Sequence, residues 1–254
     1  MAPFEAVIFG IIQGLTEFFP VSSSGHLVVF QSLFGIREPQ LAFDIFLHLG
    51  TLMSVLIYFR HDIYWLFGRD RHTLACILAA SVPTFIIGFL SGDAVEKLFG
   101  MPDAVGYMMA LTGAFLIISS VYQSRRRGGA EKKLGIFNSL VIGISQGIAI
   151  IPGISRSGAT ISTGIIAGLN AHTATRFSFL LSIPAIAGAT LFKSAKIGSS
   201  ILSGDAVSFI AGAAAAMTVG LFSIDVLFRV IKDNKLYIFG IYCILAGSAV
   251  IILI

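Results

Sequence analysis

Two polar stretches stand out in an apolar chain. The first, "QGLTEFFPVSSSGHL", gathers Gln13, Thr16, Glu17, Ser22, Ser23, Ser24 and His26 around Pro20. The second, "PGISRSGATIS", offers Ser155, Arg156, Ser157, Thr160 and Ser162 behind Pro152. Gln13 and Glu17 are four residues apart and share a helix face. An ionised Glu17 only accepts hydrogen bonds and can bind a divalent cation or a proton. His26 can hold a proton near neutral pH. Arg156 is a permanent cation whose planar donors suit phosphate. Gly153 and Gly158 let backbone approach a ligand, and a loop leading into a helix N-terminus forms an anion site. An anion clamp, a hydroxyl nucleophile, a proton carrier and one carboxylate together suit phosphoryl chemistry.

Composition sets the solvent around these groups. Of 254 residues, 56% are hydrophobic and only 12% are charged. Soluble domains carry about 25% charged residues, so the chain is expected in a bilayer. "MAPFEAVIFG" lacks a basic region and carries Glu5, so it does not read as a cleaved signal peptide. The net charge of +4 is a topology signal, not a nucleic-acid surface. Cys76 and Cys243 are isolated in apolar runs and read as buried small hydrophobes. No CxxC pair, zinc spacing or Walker loop is present.

Six segments are long enough to span: 41–59, 72–92, 104–123, 173–193, 207–228 and 236–254. Two shorter ones, 3–19 and 136–151, run into Pro20 and Pro152, which disfavour helix just before them. They are expected to form re-entrant hairpins returning through helices at 27–35 and 159–169. Irregular backbone at that depth survives only where protein buries it or a wet cavity meets it. The expected fold is therefore an all-α integral membrane protein, a single membrane domain over 1–254.

The short segments are also copies. Gly10, Ile11, Gln13, Gly14, Ser22, Ser24 and Gly25 match Gly143, Ile144, Gln146, Gly147, Ser155, Ser157 and Gly158, at an offset of 133 without a gap. Gly35 and Gly168, Phe46-Leu47 and Phe179-Leu180, and Phe59 and Phe192 continue the series. Duplication explains this, with halves near 1–123 and 134–254.

Arg60, Arg69 and Arg71, then Arg125, Arg126, Arg127, Lys132 and Lys133, then Arg229, Lys232 and Lys235 mark three basic loops. The loop at 93–103 holds Asp93, Glu96 and Asp103 against Lys97. Positive-inside places the basic loops in the cytoplasm. Span 41–59 then runs outside to inside and its copy 173–193 the reverse, so the repeat is inverted, with both termini external. The hairpin tips can meet near the midplane, as in inverted-repeat transporters.

Other polar residues have plainer roles. Ser162, Thr163 and Gly164 suit close helix packing. His48 is a lone histidine in a span, read mainly as structural. Asp225 and Arg229 are spaced for an i,i+4 pair. "RRRGGAEKK" reads as a solvated, orienting loop.

The two polar motifs resemble the signatures of the BacA-type undecaprenyl-diphosphatase family, and the second fits the form PGxSRSxxT in full. The resemblance covers essentially the whole chain. It implies hydrolysis of undecaprenyl diphosphate to the monophosphate and inorganic phosphate, recycling the cell-wall lipid carrier, with bacitracin resistance on overproduction. It places Glu17, Ser23 and His26 at catalytic positions, and Ser155, Arg156 and Thr160 at phosphate-binding ones; Ser22, Ser24 and Ser157, from the same polar stretches, are read as further substrate-binding groups. It implies a divalent cation, Mg²⁺ or Ca²⁺, at Glu17 and Gln13. Some members carry Glu where this chain has Gln13, so the cation site here has one carboxylate and one amide oxygen. The implied setting is the inner (plasma) membrane, with the site open to the outer face, a polyprenyl diphosphate lipid as substrate, no nucleic-acid partner, and room for a homodimer. Ser23 and His26 both remain candidates for the nucleophile. A polyprenyl-phosphate transporter or flippase is the alternative class.

Overall fold

A computed structural model describes residues 2–36, 40–99, 101–126, 132–197 and 205–253, with side chains except at 92–97, 99, 102, 103 and 253. Eleven helices lie among the described residues: α1 (Pro3–Phe18), α2 (Ser23–Leu33), α3 (Leu41–Tyr58), α4 (Arg60–Phe67), α5 (Arg71–Phe99), α6 (Pro102–Arg125), α7 (Ile136–Ile148), α8 (Arg156–Ile166), α9 (Ala171–Ile197), α10 (Ala206–Lys232) and α11 (Tyr237–Leu253). The expectation for "RRRGGAEKK" falls largely on 127–131, including Arg127, outside the described residues; the side chains of Asp93, Glu96, Lys97 and Asp103 are also outside them.

The protein is an all-α, multi-pass membrane protein. Five helices are long and apolar enough to cross a bilayer, within 41–58, 71–91, 104–125, 171–196 and 206–232. The sixth expected span corresponds to α11, a shorter apolar helix of 17 residues among those described. Helix α4 was not expected; the sequence reads there as a loop, because eight residues opening on Arg60, His61 and Asp62 carry no span signal. Its Asp62 is fixed by Arg176 of α9, Nε to Oδ1 at 2.5 Å.

The breaks after α1 and α7 follow from local chemistry. Phe19 is extended, with ψ 138°, as the residue before Pro20 must be. The two returning helices begin earlier than expected, at Ser23 and Arg156 rather than near 27 and 159. The cause is capping: Ser22 Oγ accepts from Gly25 N at 3.2 Å, and Ser155 Oγ accepts from Gly158 N at 3.1 Å. Each cap satisfies an otherwise orphaned first-turn donor. Ser23, Ser24, His26, Arg156 and Ser157 therefore stand on helical first turns, not in loops.

Both capped helices have 11 residues and lie 133 positions apart at both ends. Under that shift α1 maps near α7, α3 near α9, α5 near α10 and α6 near α11. The packing follows the same rule: α1 and α3 pack on α10, while α7 and α9 pack on α5. Helices α6 and α11 pack on each other, as do α3 and α9. Small residues permit the closest approaches. A methyl at Gly10 would meet the carbonyl of Gly212, and one at Gly143 would meet that of Ala80. The core between the long helices is aromatic and aliphatic, with Phe18, Phe59, Phe179, Leu180 and Ile224 buried.

Candidate active site

The breaks bring the two polar stretches together at Glu17. Its side chain sits on the last turn of α1 and is 7% exposed. Arg156, on the first turn of α8, donates from Nη2 to Glu17 Oε1 at 2.7 Å. Ser23, on the first turn of α2, donates from Oγ to Oε2 at 2.7 Å. Gln13, one turn before Glu17, donates from Nε2 to the same Oε2 at 3.1 Å. One carboxylate thus gathers a guanidinium, a hydroxyl and an amide from three helices. Three charge-assisted or polar donors offset the cost of burying the anion.

His26 faces elsewhere. Its Nδ1 bonds the Ser22 carbonyl at 2.8 Å, and its Nε2 bonds the Tyr242 hydroxyl at 2.7 Å. No hydrogen bond joins His26 to Ser23 or Glu17 among the described residues. His48 is closer to the carboxylate, with Nε2 4.0 Å from Glu17 Oε2. Its Nδ1 bonds the carbonyl of Asp44 at 2.7 Å. His48 was read mainly as structural; its place beside Glu17 was signalled only by its being an ionisable group inside a span. Tyr242 carried no sequence signal, because it lies 216 residues from His26.

The remaining hydroxyls hold the breaks in shape. Ser22 and Ser24 pair, Oγ to Oγ, at 3.4 Å. Ser155 pairs with Ser157 at 3.2 Å, and Ser157 donates to the Phe19 carbonyl at 3.3 Å, tying one break to the other. Thr160 donates to the Arg156 carbonyl at 2.9 Å and meets Ser178 Oγ at 2.6 Å. Ser155, Ser157 and Thr160 are all buried. Ser23 and Ser24 are half-buried, and the Arg156 side chain keeps 16% exposure. These three are the most accessible polar side chains of the two motifs. Ser162 bonds Ser119 across α8 and α6, as a packing residue does. Asp225 and Arg229 form the expected pair, and both cysteines are free and buried.

One polar atom in the cluster lacks a partner. Gln13 Oε1 is buried and accepts no hydrogen bond. The same amide turns its Nε2 toward Glu17, and the matching residue of the repeat, Gln146, also has a buried Oε1 without a partner. A cavity of about 650 Å³ lies apart from the cluster, lined in part by Asn170, His172, Asp225, Arg229 and Lys232.

The chain matches the family described as bacitracin resistance protein BacA over residues 6–249. It is 41% identical over 257 residues to an undecaprenyl-diphosphatase of Carboxydothermus hydrogenoformans, covering 100% of this chain and 98% of that relative. It is 43% identical over 270 residues to one of Desulfosudis oleivorans, covering 98% and 97%. A relative of the same name from Bacteroides thetaiotaomicron is 40% identical over 266 residues, covering 99% of each chain. With a match spanning nearly every helix and both broken-helix motifs, the chain belongs to the BacA family.

Proposed function

We propose that the protein is a membrane phosphatase that hydrolyses undecaprenyl diphosphate to undecaprenyl phosphate and inorganic phosphate. The observation that carries this reading is the Glu17 cluster, where a hydroxyl and a guanidinium share one buried carboxylate. The names of the relatives point to the same substrate. A polyprenyl tail lies in the bilayer, while the anionic head needs a polar pocket of this kind.

In the proposed mechanism Arg156 and the first turn of α8 hold the terminal phosphate. Ser23 Oγ attacks its phosphorus, the anhydride bond breaks, and undecaprenyl phosphate leaves with the bridging oxygen. The serine proton passes to Glu17, its hydrogen-bond partner. Water then attacks the phosphoserine, His26 takes the water proton, and Glu17 returns a proton to Ser23 as phosphate leaves. Gln13 and Glu17 would hold a divalent cation, and the orphaned Gln13 Oε1 supports that fit. Mg²⁺ or Ca²⁺ there supplies charge neutralisation for the phosphoryl group. Arg156, drawn onto phosphate, frees a carboxylate oxygen for this purpose.

The matched offset of the helices supports an inverted duplication with halves at 1–123 and 134–254, two re-entrant hairpins, six spans and external termini. On that topology the site opens to the outer face of the inner membrane, its product replenishes the cell-wall lipid carrier, and overproduction would confer bacitracin resistance. The symmetric packing of α1 and α3 on α10, and of α7 and α9 on α5, also suits a polyprenyl-phosphate transporter. Phosphate release from detergent-purified protein separates the readings. Release dependent on Ser23 and Arg156 is expected; its absence with intact lipid diphosphate and cation would leave transport.

A further inference from the structure

Helix α11 reaches the break after α1 through three neighbouring side chains. Phe239 packs on Phe19 with ring centroids 5.1 Å apart. The Cys243 thiol donates to the carbonyl of Pro20 at 3.4 Å. Between them, Tyr242 Oη lies 2.7 Å from His26 Nε2, the two rings stacked at 8° with centroids 5.7 Å apart. The first two contacts hold backbone and ring. The third reaches a functional group.

The partners of His26 determine what its ring can be. The Ser22 carbonyl only accepts, so Nδ1 carries the hydrogen in their 2.8 Å bond. In the neutral ring Nε2 then holds the lone pair. The Tyr242 hydroxyl is the donor that meets it. A hydroxyl can also accept, so the same bond persists when Nε2 is protonated, with its direction reversed. His26 is 7% exposed, whereas Tyr242 is 46% exposed. The phenol thus stands between a buried imidazole and its surroundings.

We propose that Tyr242 is a proton-relay residue of the hydrolytic site: the Ser22 carbonyl sets the His26 tautomer, and the Tyr242 hydroxyl, which occupies the Nε2 lone pair, accepts the water proton as it passes its own hydrogen to Nε2. This rests on the phosphatase reading, in which His26 takes a proton from water. The histidine of the first motif is thereby served by a tyrosine near the opposite end of the chain. A fixed tautomer matters because the wrong one presents a donor where the reaction needs an acceptor.

The test uses full-length, detergent-purified protein and the variants Tyr242→Phe, His26→Ala and their combination, each checked for a monodisperse elution profile. Tyr242→Phe keeps the ring that stacks on His26 and removes only the hydroxyl. A roughly tenfold fall in kcat with KM nearly unchanged is expected, as for loss of one ordinary hydrogen bond. In the His26→Ala background the same change should have no further effect, because Tyr242 acts through the imidazole. Multiplying losses, or wild-type kcat in Tyr242→Phe, would overturn the proposal. Nitrogen-15 spectra of histidine-labelled protein give a readout independent of activity. The His26 signal, identified by its loss in His26→Ala, should show the Nδ1–H tautomer in both proteins, with the Nε2 resonance shifted in Tyr242→Phe by loss of its hydrogen-bond donor. An unchanged spectrum would overturn the role of the hydroxyl. Wild-type protein that releases no phosphate, yet shows the spectral change, would uphold that hydrogen-bond role and refute the phosphatase reading.

Discussion

Arg156 Nη2 lies 2.7 Å from Glu17 Oε1, an ion pair between residues 139 apart in the chain. The side chains keep only 16% and 6% exposure, so water screens the pair little. It fastens the first turn of α8 to the last turn of α1. The same two groups carry the proposed phosphate clamp and cation ligand. Folding and chemistry therefore compete for them.

That competition can be separated by mutation. Arg156→Ala strands a buried carboxylate, and removing one partner of such a pair costs about 3–5 kcal/mol. A lowered unfolding temperature in detergent and loss of phosphate release are expected together. Adding Glu17→Gln removes the stranded charge, so the double variant should regain most of the stability and none of the activity. Arg156→Lys keeps the charge but loses the planar fork; it should melt near the wild type and remain badly impaired. Normal specific activity in all folded Arg156 variants would make Arg156 a scaffold only.

The Ser23 hydroxyl is donated to Glu17, not to His26. Ser23→Ala should therefore abolish phosphate release while the lipid still binds. His26→Ala should leave a residual rate, lower by about 10²–10⁴-fold, the usual worth of acid–base help. Rapid quench with labelled lipid diphosphate should trap phosphoserine, most abundantly in His26→Ala, where the second step is slowed. A trapped phosphohistidine would reverse the assignment.

Much of this site was legible in the sequence, for definable reasons. Gln13 and Glu17 share a face because helical periodicity is local, and their hydrogen bond follows. Pro20 and Pro152 announced the breaks. The helix starts were missed by several residues because Ser22 and Ser155 cap them, and each serine also read as a ligand. His48 beside Glu17 and Tyr242 on His26 were out of reach. Such contacts depend on how long helices pack, and no local period encodes them.

Topology has its own test. In a background with Cys76→Ala and Cys243→Ala, a cysteine replacing exposed Lys133 should react with a membrane-impermeant reagent only from the cytoplasmic side. One replacing Ala2 should react only from outside. The reverse pattern would refute the inverted arrangement and turn the proposed site toward the cytoplasm.

Close packing of α7 on α5 predicts a stability effect far from the chemistry. Thr84 Oγ1 donates to the Gly143 carbonyl at 2.8 Å, and a methyl at Gly143 would press on the Ala80 carbonyl. Backbone cannot rotate away as a side chain can, so Gly143→Ala should cost about 1–3 kcal/mol. Gly135→Ala meets nothing within 4 Å and should melt near the wild type. Equal melting of both variants would show that α7 can move off α5 freely.

Gln13 offers the sharpest test of the cation. Its Oε1 is buried without a hydrogen-bond partner, which costs about 1–3 kcal/mol where no ligand compensates. If Gln13 and Glu17 hold a divalent cation, Mg²⁺ or Ca²⁺ should raise the unfolding temperature of the wild-type protein. A ligand at a hundred times its Kd stabilises by about 2.7 kcal/mol. Gln13→Glu sets a second carboxylate beside Glu17, so their repulsion should lower stability in chelator. The same added charge should enlarge the stabilisation by cation above that of the wild type. Gln13→Met removes the orphaned oxygen and also the Nε2 donor to Glu17 at similar volume; these effects oppose each other, so it should melt near the wild type in chelator while losing most of the cation response. Cation responses equal in all three proteins would remove the cation from this site and leave Gln13 as a strained donor to Glu17.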